Sequence, residues 1–180
     1  MKIVRIYTDG ACSGNQNEIS PGGWGAILEY GPAIKELCGG ESNTTNNRME
    51  MTALLSAFNA LKRDGLEIEV FADSSYLMDC FRKKWYLKWQ QNGWLTSSKT
   101  PVENRDLWEQ LLSYLDRHTI RFYRVKGHVN VNSVSVDFTK LYSKFTEWNG
   151  SSFTFEDFMY ITKMNNRADA LANEGMNPYK

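Results

Sequence analysis

Four carboxylates carry the chemical interest of this sequence. Asp9 stands in Tyr7-Thr8-Asp9-Gly10, Glu50 in Asn47-Arg48-Met49-Glu50, Asp73 in Phe71-Ala72-Asp73-Ser74, and Asp169 in Asn166-Arg167-Ala168-Asp169. Each has an ordinary structural explanation. Asp9-Gly10 suits a turn, and Asp73, between a strand and a helix, suits an N-cap. Asn47 and Glu50 have capping-box spacing, and Asn166 and Asp169 repeat it. As a group the four would do something else. Clustered carboxylates repel one another and raise each other's pKa values. Hard divalent cations remove that conflict, and a donor set made only of oxygens suits magnesium or manganese.

The elements around the acids favour the group. From Asn47 to about Arg63 the pattern is helical, and Glu50, Ala53, Leu54, Ala57 and Leu61 fall at i, i+3, i+4, i+7 and i+11. Glu50 therefore shares the apolar face and is aimed at the core, where an ionised carboxylate is costly unless compensated. Strands are predicted at 3–9, 22–30, 33–41, 68–73 and 119–125, the second and third joined by Gly31-Pro32. Asp9 and Asp73 then sit at strand C-termini, where open α/β sheets place their sites. If those strands are neighbours, the helix across them brings Glu50 within reach. Further helices are predicted over 74–91, 103–116 and 166–175. The order implies an α/β fold, a five-stranded mixed sheet of three hairpin strands and then strands alternating with helices, within one domain spanning 1–180.

The totals set bounds. With 180 residues, 42% hydrophobic and 23% charged, the chain resembles a soluble globular protein. No apolar run is long enough to span a bilayer. The opening MKIVRIYTDG has no basic leader followed by an apolar stretch, so no secretory signal is expected. Cys12, Cys38 and Cys80 lack metal-ligand spacing and are odd in number, which points to a reducing, cytoplasmic setting. Formal net charge is zero, but it is unevenly spread. Between Arg82 and Arg105 six positive residues face only Glu103, a local excess of +5. Such a run can be a solvated helix face or a phosphate-binding one.

Five ordered blocks then resemble a known family. YTDGACSGN (7–15), TTNNRMEMTAL (44–54), FADSSY (71–76), KGHVN (126–130) and NNRADALAN (165–173) are similar to the signature blocks of type 1 ribonucleases H. The segment from Trp85 to Trp108 resembles that family's basic handle, which here spans about 82–105. The resemblance implies a ribonuclease H-like fold and an endonuclease that hydrolyses the RNA strand of RNA–DNA hybrids. It places Asp9, Glu50, Asp73 and Asp169 on the metal-binding acids and His128 on a catalytic mobile-loop histidine. Two Mg2+ ions are implied, with Mn2+ able to substitute. Two ions roughly 3.5–4 Å apart supply an activated water, in-line attack and a stabilised leaving oxyanion. Products would carry 5′-phosphate and 3′-hydroxyl ends. By family position Asn15, Asn46 and Asn47 would read the RNA 2′-hydroxyls, and Thr45 would hold a DNA phosphate. Lys83, Lys84, Trp85, Lys88, Trp89 and Asn104 would complete the hybrid-binding surface. The two tryptophans, four residues apart, suit core packing nearly as well as contact with DNA sugars. A monomer with no membrane association is expected.

Two departures stand out. Ser75 occupies a position where relatives often carry glutamine. Between His128 and Asp169, residues 131–164 form an aromatic-rich insertion where relatives have a short connection. Phe138, Leu141, Tyr142, Phe145 and Trp148 lie at helical spacing, and Thr154 begins what reads as a second short helix. The insertion carries three lysines against four acids, a poor composition for phosphate. It is expected to form a helical hairpin that packs on the domain and restricts the histidine loop, or alternatively to offer a surface to a protein partner. Rival readings are a hybrid-binding module that does not cut, another nuclease of the same fold, and a protein-interaction domain.

Overall fold

The computed structural model describes residues 2–14 and 19–180. Five strands form one sheet: β1 (Val4–Cys12), β2 (Ser20–Tyr30), β3 (Ala33–Thr44), β4 (Glu67–Ala72) and β5 (Thr119–Arg124). Their order is β3-β2-β1-β4-β5. β1, β2 and β3 pair antiparallel, while β1–β4 and β4–β5 pair parallel. The mixed sheet read from the sequence is the sheet observed, and β1 and β4 are indeed neighbours.

Among the described residues six α-helices accompany the sheet: α1 (Asn46–Asn59), α2 (Ser75–Arg82), α3 (Trp85–Asn92), α4 (Arg105–Ser113), α5 (Phe138–Asn149) and α6 (Phe155–Met176). Both faces of β1 are buried, as a central strand requires. Ile6 packs with Leu54, Phe58 and Leu77 on the side of α1 and α2. Tyr7 packs with Phe145, Phe158 and Ile161 on the side of α5 and α6. The second side holds α6 very close: a β-carbon at Gly25 would lie 2.4 Å from the Ala168 carbonyl oxygen. Glycine in β2 therefore lets the Asp169 helix lie directly on the sheet.

Several helix and cap readings need correction. The predicted helix over 74–91 is two helices, broken where Lys84 takes a left-handed backbone with φ 56°. The predicted short helix at Thr154 and the final helix at 166–175 are one 22-residue helix, α6. Thr154 does cap it, in a capping box with Asp157, but Asn166 is mid-helix and caps nothing. In α1 the N-cap is Thr45, whose side chain accepts from the Arg48 N–H, so Asn47 is not the cap. Likewise Ser74, rather than Asp73, caps α2.

Candidate active site

The acids meet through strand register. Thr8 pairs with Ala72 at the end of the β1–β4 ladder. The next residue on each strand is an acid, so Asp9 and Asp73 stand level just beyond the parallel pairing. β1 itself runs on past Asp9 against β2, with Asp9 opposite Gly25 and Gly10 opposite Trp24. Asp9-Gly10 is therefore strand and not a turn. Gly10 has another task. A β-carbon there would lie 2.5 Å from the Glu50 backbone nitrogen, so only glycine lets the start of α1 descend onto β1.

That descent completes the cluster. Ligand oxygens of Asp9, Glu50 and Asp73 all lie within 4.8 Å of one another. Asp9 and Glu50 are each only 3% exposed. Asp169 reaches the group from α6 and is partly exposed, with Oδ2 3.6 Å from His128 Nδ1. One Asp9 oxygen accepts from the Gly10 N–H at 2.9 Å. Glu50 Oε2 is buried with no hydrogen-bond partner. Burial and then the Asp73 charge push Asp9 up to about 8. Burial, followed by Asp9 and Asp73, holds Glu50 well above the ordinary carboxylate range. Burial also raises Asp73. A buried oxygen without a donor, inside a group of mutually repelling carboxylates, is the environment a hard cation relieves. The donor set present therefore fits divalent ions.

A cavity of about 290 Å³ opens over the acids, lined also by Asn46, Asn47, Ser75, Tyr76 and His128. Ser75 is exposed on its rim. His128 is solvent-exposed on the loop after β5 and holds a left-handed backbone with φ 58°. Gly127 is sterically fixed by the acids: a β-carbon there would lie 2.1 Å from Asp73 Oδ2. The loop is tied to α6 by Asn166, whose Nδ2 donates to the Val129 carbonyl oxygen at 2.6 Å. Asn166 is thus a positioning residue that the sequence reading missed, and its only sequence signal was its place three residues before Asp169.

Beside the cavity runs a groove of about 800 Å³, sharing Asn47 and Tyr76 with it and lined by Lys83, Lys84, Trp85 and Lys88. Trp85 is 38% exposed, whereas Trp89 is 9% exposed and packs on Trp94 and Trp108. Of the two tryptophans, the structure presents the first and uses the second as core. Thr45 spends its hydroxyl on capping α1. Asn104 accepts from Arg48 Nη1 at 3.2 Å, and Arg48 also pairs with both carboxylate oxygens of Asp106. Arg48, unremarked in the sequence, thereby ties α1 to α4 beneath the basic segment. Arg82 does not join the groove. It donates to the Trp148 carbonyl and Asn149 Oδ1 at the C-terminus of α5. Asn15 lies outside the described residues. His118 is buried and structural, its Nδ1 accepting from the Leu66 N–H.

A family model described as RNase H matches residues 1–139. The chain belongs to the ribonuclease H family. Among curated relatives, the Ribonuclease H of Moorella thermoacetica is 52% identical over 128 residues, which cover 71% of this chain and 82% of that one. The Ribonuclease H of Rhizobium johnstonii is 43% identical over 180 residues, covering all of this chain and 95% of that one. In fold, this ribonuclease H is similar to LC9-RNase H1, a type 1 RNase H with the type 2 active-site motif. The TM-score is 0.71 at 24% identity, covering 100% of this chain and 74% of the other. It is also similar to LC11-RNase H1, solved in complex with an RNA/DNA hybrid, with TM-score 0.54 at 17% identity and 97% of each chain covered. The family match ends at residue 139, just inside α5, whereas the alignment with the Rhizobium johnstonii relative runs over the whole chain, the insertion and Asp169 included. Among the described residues of this ribonuclease H no helix is long and apolar enough to cross a membrane.

Proposed function

We propose that this ribonuclease H hydrolyses the RNA strand of RNA–DNA hybrids, with two divalent cations held by Asp9, Glu50, Asp73 and Asp169. The observation that carries this reading is the buried cluster of Asp9, Glu50 and Asp73, with Glu50 Oε2 lacking any partner. Asp9 is central to the cluster and would serve both ion sites, with Glu50 and Asp73 on one and Asp169 on the other. When bound, Mg2+, or Mn2+ in its place, supplies charge neutralisation for the acids and Lewis acidity toward water and phosphate.

The chain's own groups supply the rest. Asn46 and Asn47 line the acid cavity with amides that both donate and accept, the capacity a 2′-hydroxyl reader needs. Lys83, Lys84 and Lys88 offer exposed charge to phosphates of the paired DNA strand, and Trp85 offers a ring beside them. His128, beside Asp169 on an exposed loop, is placed to pass a proton to the departing oxygen or to help product leave. Products with 5′-phosphate and 3′-hydroxyl ends follow if the bond to the 3′ oxygen breaks.

Product-end analysis tests the proposal. Cleaved RNA should be a substrate for 5′-phosphate-dependent exonuclease and for 3′ extension by a polymerase, and cleavage should vanish in EDTA and return with Mg2+ or Mn2+. Products with 2′,3′-cyclic phosphate ends would instead mean attack by the RNA's own 2′-hydroxyl, and would sink the reading.

A further inference from the structure

A second groove, of about 810 Å³, lies on the other side of His128, between the histidine loop and α5. His128 lines both this groove and the acid cavity, so the two meet at the histidine. The handle groove, the acid cavity and this groove therefore adjoin one another in a row, sharing Asn47 and Tyr76 at one junction and His128 at the other. Resting on the hybrid as substrate, we propose that the α5 groove takes the unpaired continuation of the RNA strand beyond the acid site.

Charge placement supports this occupant, although the composition of the insertion pointed away from phosphate. Lys140 and Lys144, one turn apart on α5, line one wall, and Lys126 lines the other. Glu156, Asp157 and Lys163 lie elsewhere, on α6. Both acids of the groove are already engaged. Asp137 accepts from the Lys140 backbone N–H at 3.0 Å as the cap of α5. Glu147 sits 3.6 Å from Lys144 in an exposed pair. Exposed pairs of that kind contribute little to stability. Arg124 and Lys144 both stand over the Trp148 ring, at 4.2 and 5.6 Å from its centroid, adding positive potential at the groove's end.

The walls are not only charged. Val129, Val136 and Leu141 line the groove as well. A duplex presents phosphates outward and hides its bases, so it has no use for an apolar cleft. An unpaired strand offers both a charged backbone and exposed base faces. The occupant that fits a cation-rimmed apolar cleft adjoining the acid cavity is the cleaved strand itself.

The test compares a short blunt hybrid with hybrids of equal duplex length whose RNA or DNA strand is extended by about eight unpaired nucleotides at either end. Affinity is read by fluorescence anisotropy in metal-free buffer over a series of salt concentrations. One of the two RNA extensions should tighten binding about tenfold at low salt. It should also steepen the slope of log K against log salt by about 0.7 for each phosphate engaged. K140E/K144E should bring the ratio of extended to blunt affinity to near one, and K126E, on the opposite wall, should do the same. Thermal melting of each variant checks that it is folded. The proposal is overturned if neither RNA extension tightens binding by the parent, if the DNA extensions do so equally, or if the gain survives in folded charge-reversal variants. The first result with intact hybrid cleavage removes the groove assignment alone. A parent that binds neither blunt nor extended hybrid removes both this proposal and the substrate reading.

Discussion

Asp9→Asn should abolish cleavage and yet stabilise the metal-free protein at neutral pH. The Asp9 carboxyl is raised from 3.8 to about 8, chiefly by burial and then by Asp73. The sign follows from linkage. A carboxyl whose folded pKa lies above its unfolded value binds its proton more tightly when folded, so its contribution is intact below about 4. That contribution is lost as pH rises toward about 8. At pH 7 the parent has lost about three pH units' worth, or about 4 kcal/mol at 1.36 kcal/mol each. Coupling to Glu50 and Asp73 spreads that cost over the group, so a gain of about 2 kcal/mol in the variant is the expected size. Asparagine can keep the acceptor that now meets the Gly10 N–H and puts an amide donor where a carboxylate repelled its neighbours. The assay is urea unfolding of both proteins in EDTA from pH 5 to 8. The parent should weaken across that range and the variant much less, and added Mg2+ should stabilise the parent far more than the variant. A parent with flat stability, and a variant no more stable at pH 7.5, would refute the buried-cluster reasoning.

His128→Ala should slow turnover by about one to two orders of magnitude, because the acids and their ions carry most of the charge stabilisation; single-turnover kinetics will show whether it is instead as inactive as Asp9→Asn. Gly127→Ala must displace the Asp73 carboxylate, whose Oδ2 lies 2.1 Å from the new β-carbon; about a 10²-fold loss of kcat with weakened Mg2+ activation is expected, and near-parental kcat would contradict the packing. Replacing Lys83, Lys84 and Lys88 by Ala should lower the slope of log K against log salt by about 0.7–0.9 for each phosphate no longer neutralised, and an unchanged slope would make them a solvated face. Phe145→Ala, at a buried ring between α5 and the sheet, should cost about 3–5 kcal/mol in chemical denaturation; a cost below about 1 kcal/mol would mean α5 does not pack as described.

Much of the site was legible because it rests on local patterns. Glu50 on the apolar stripe of α1 announced a buried acid, and acids at the ends of two predicted strands announced a site there, although β1 itself runs on to Cys12. The cap at Thr154 was equally plain, since Asp157 completes a box three residues on. What failed was local signal overridden by packing. Between Met159 and Asn165 the chain carries Ile161, Thr162 and, at its end, the first of two asparagines, weak helix formers that read as a gap. Burial of Phe158, Ile161 and Met164 holds that stretch helical, so the insertion and the Asp169 helix become one rod. The break at Lys83-Lys84 had no glycine or proline to mark it, because a lysine takes the left-handed backbone. Neither the Arg48–Asp106 pair nor the Arg82 hydrogen bonds to α5 can be read from spacing, since they join residues more than fifty positions apart.

The central claim is that this acid cluster cuts RNA only when it is paired to DNA. The most direct measurement incubates end-labelled RNA, as a hybrid, as double-stranded RNA and as a single strand, together with matched double-stranded DNA, with and without Mg2+. Cleavage confined to the RNA of the hybrid, absent without Mg2+ and absent in Asp9→Asn, is the predicted result. Equal cleavage of double-stranded RNA, or hybrid cleavage that persists in EDTA, would contradict it.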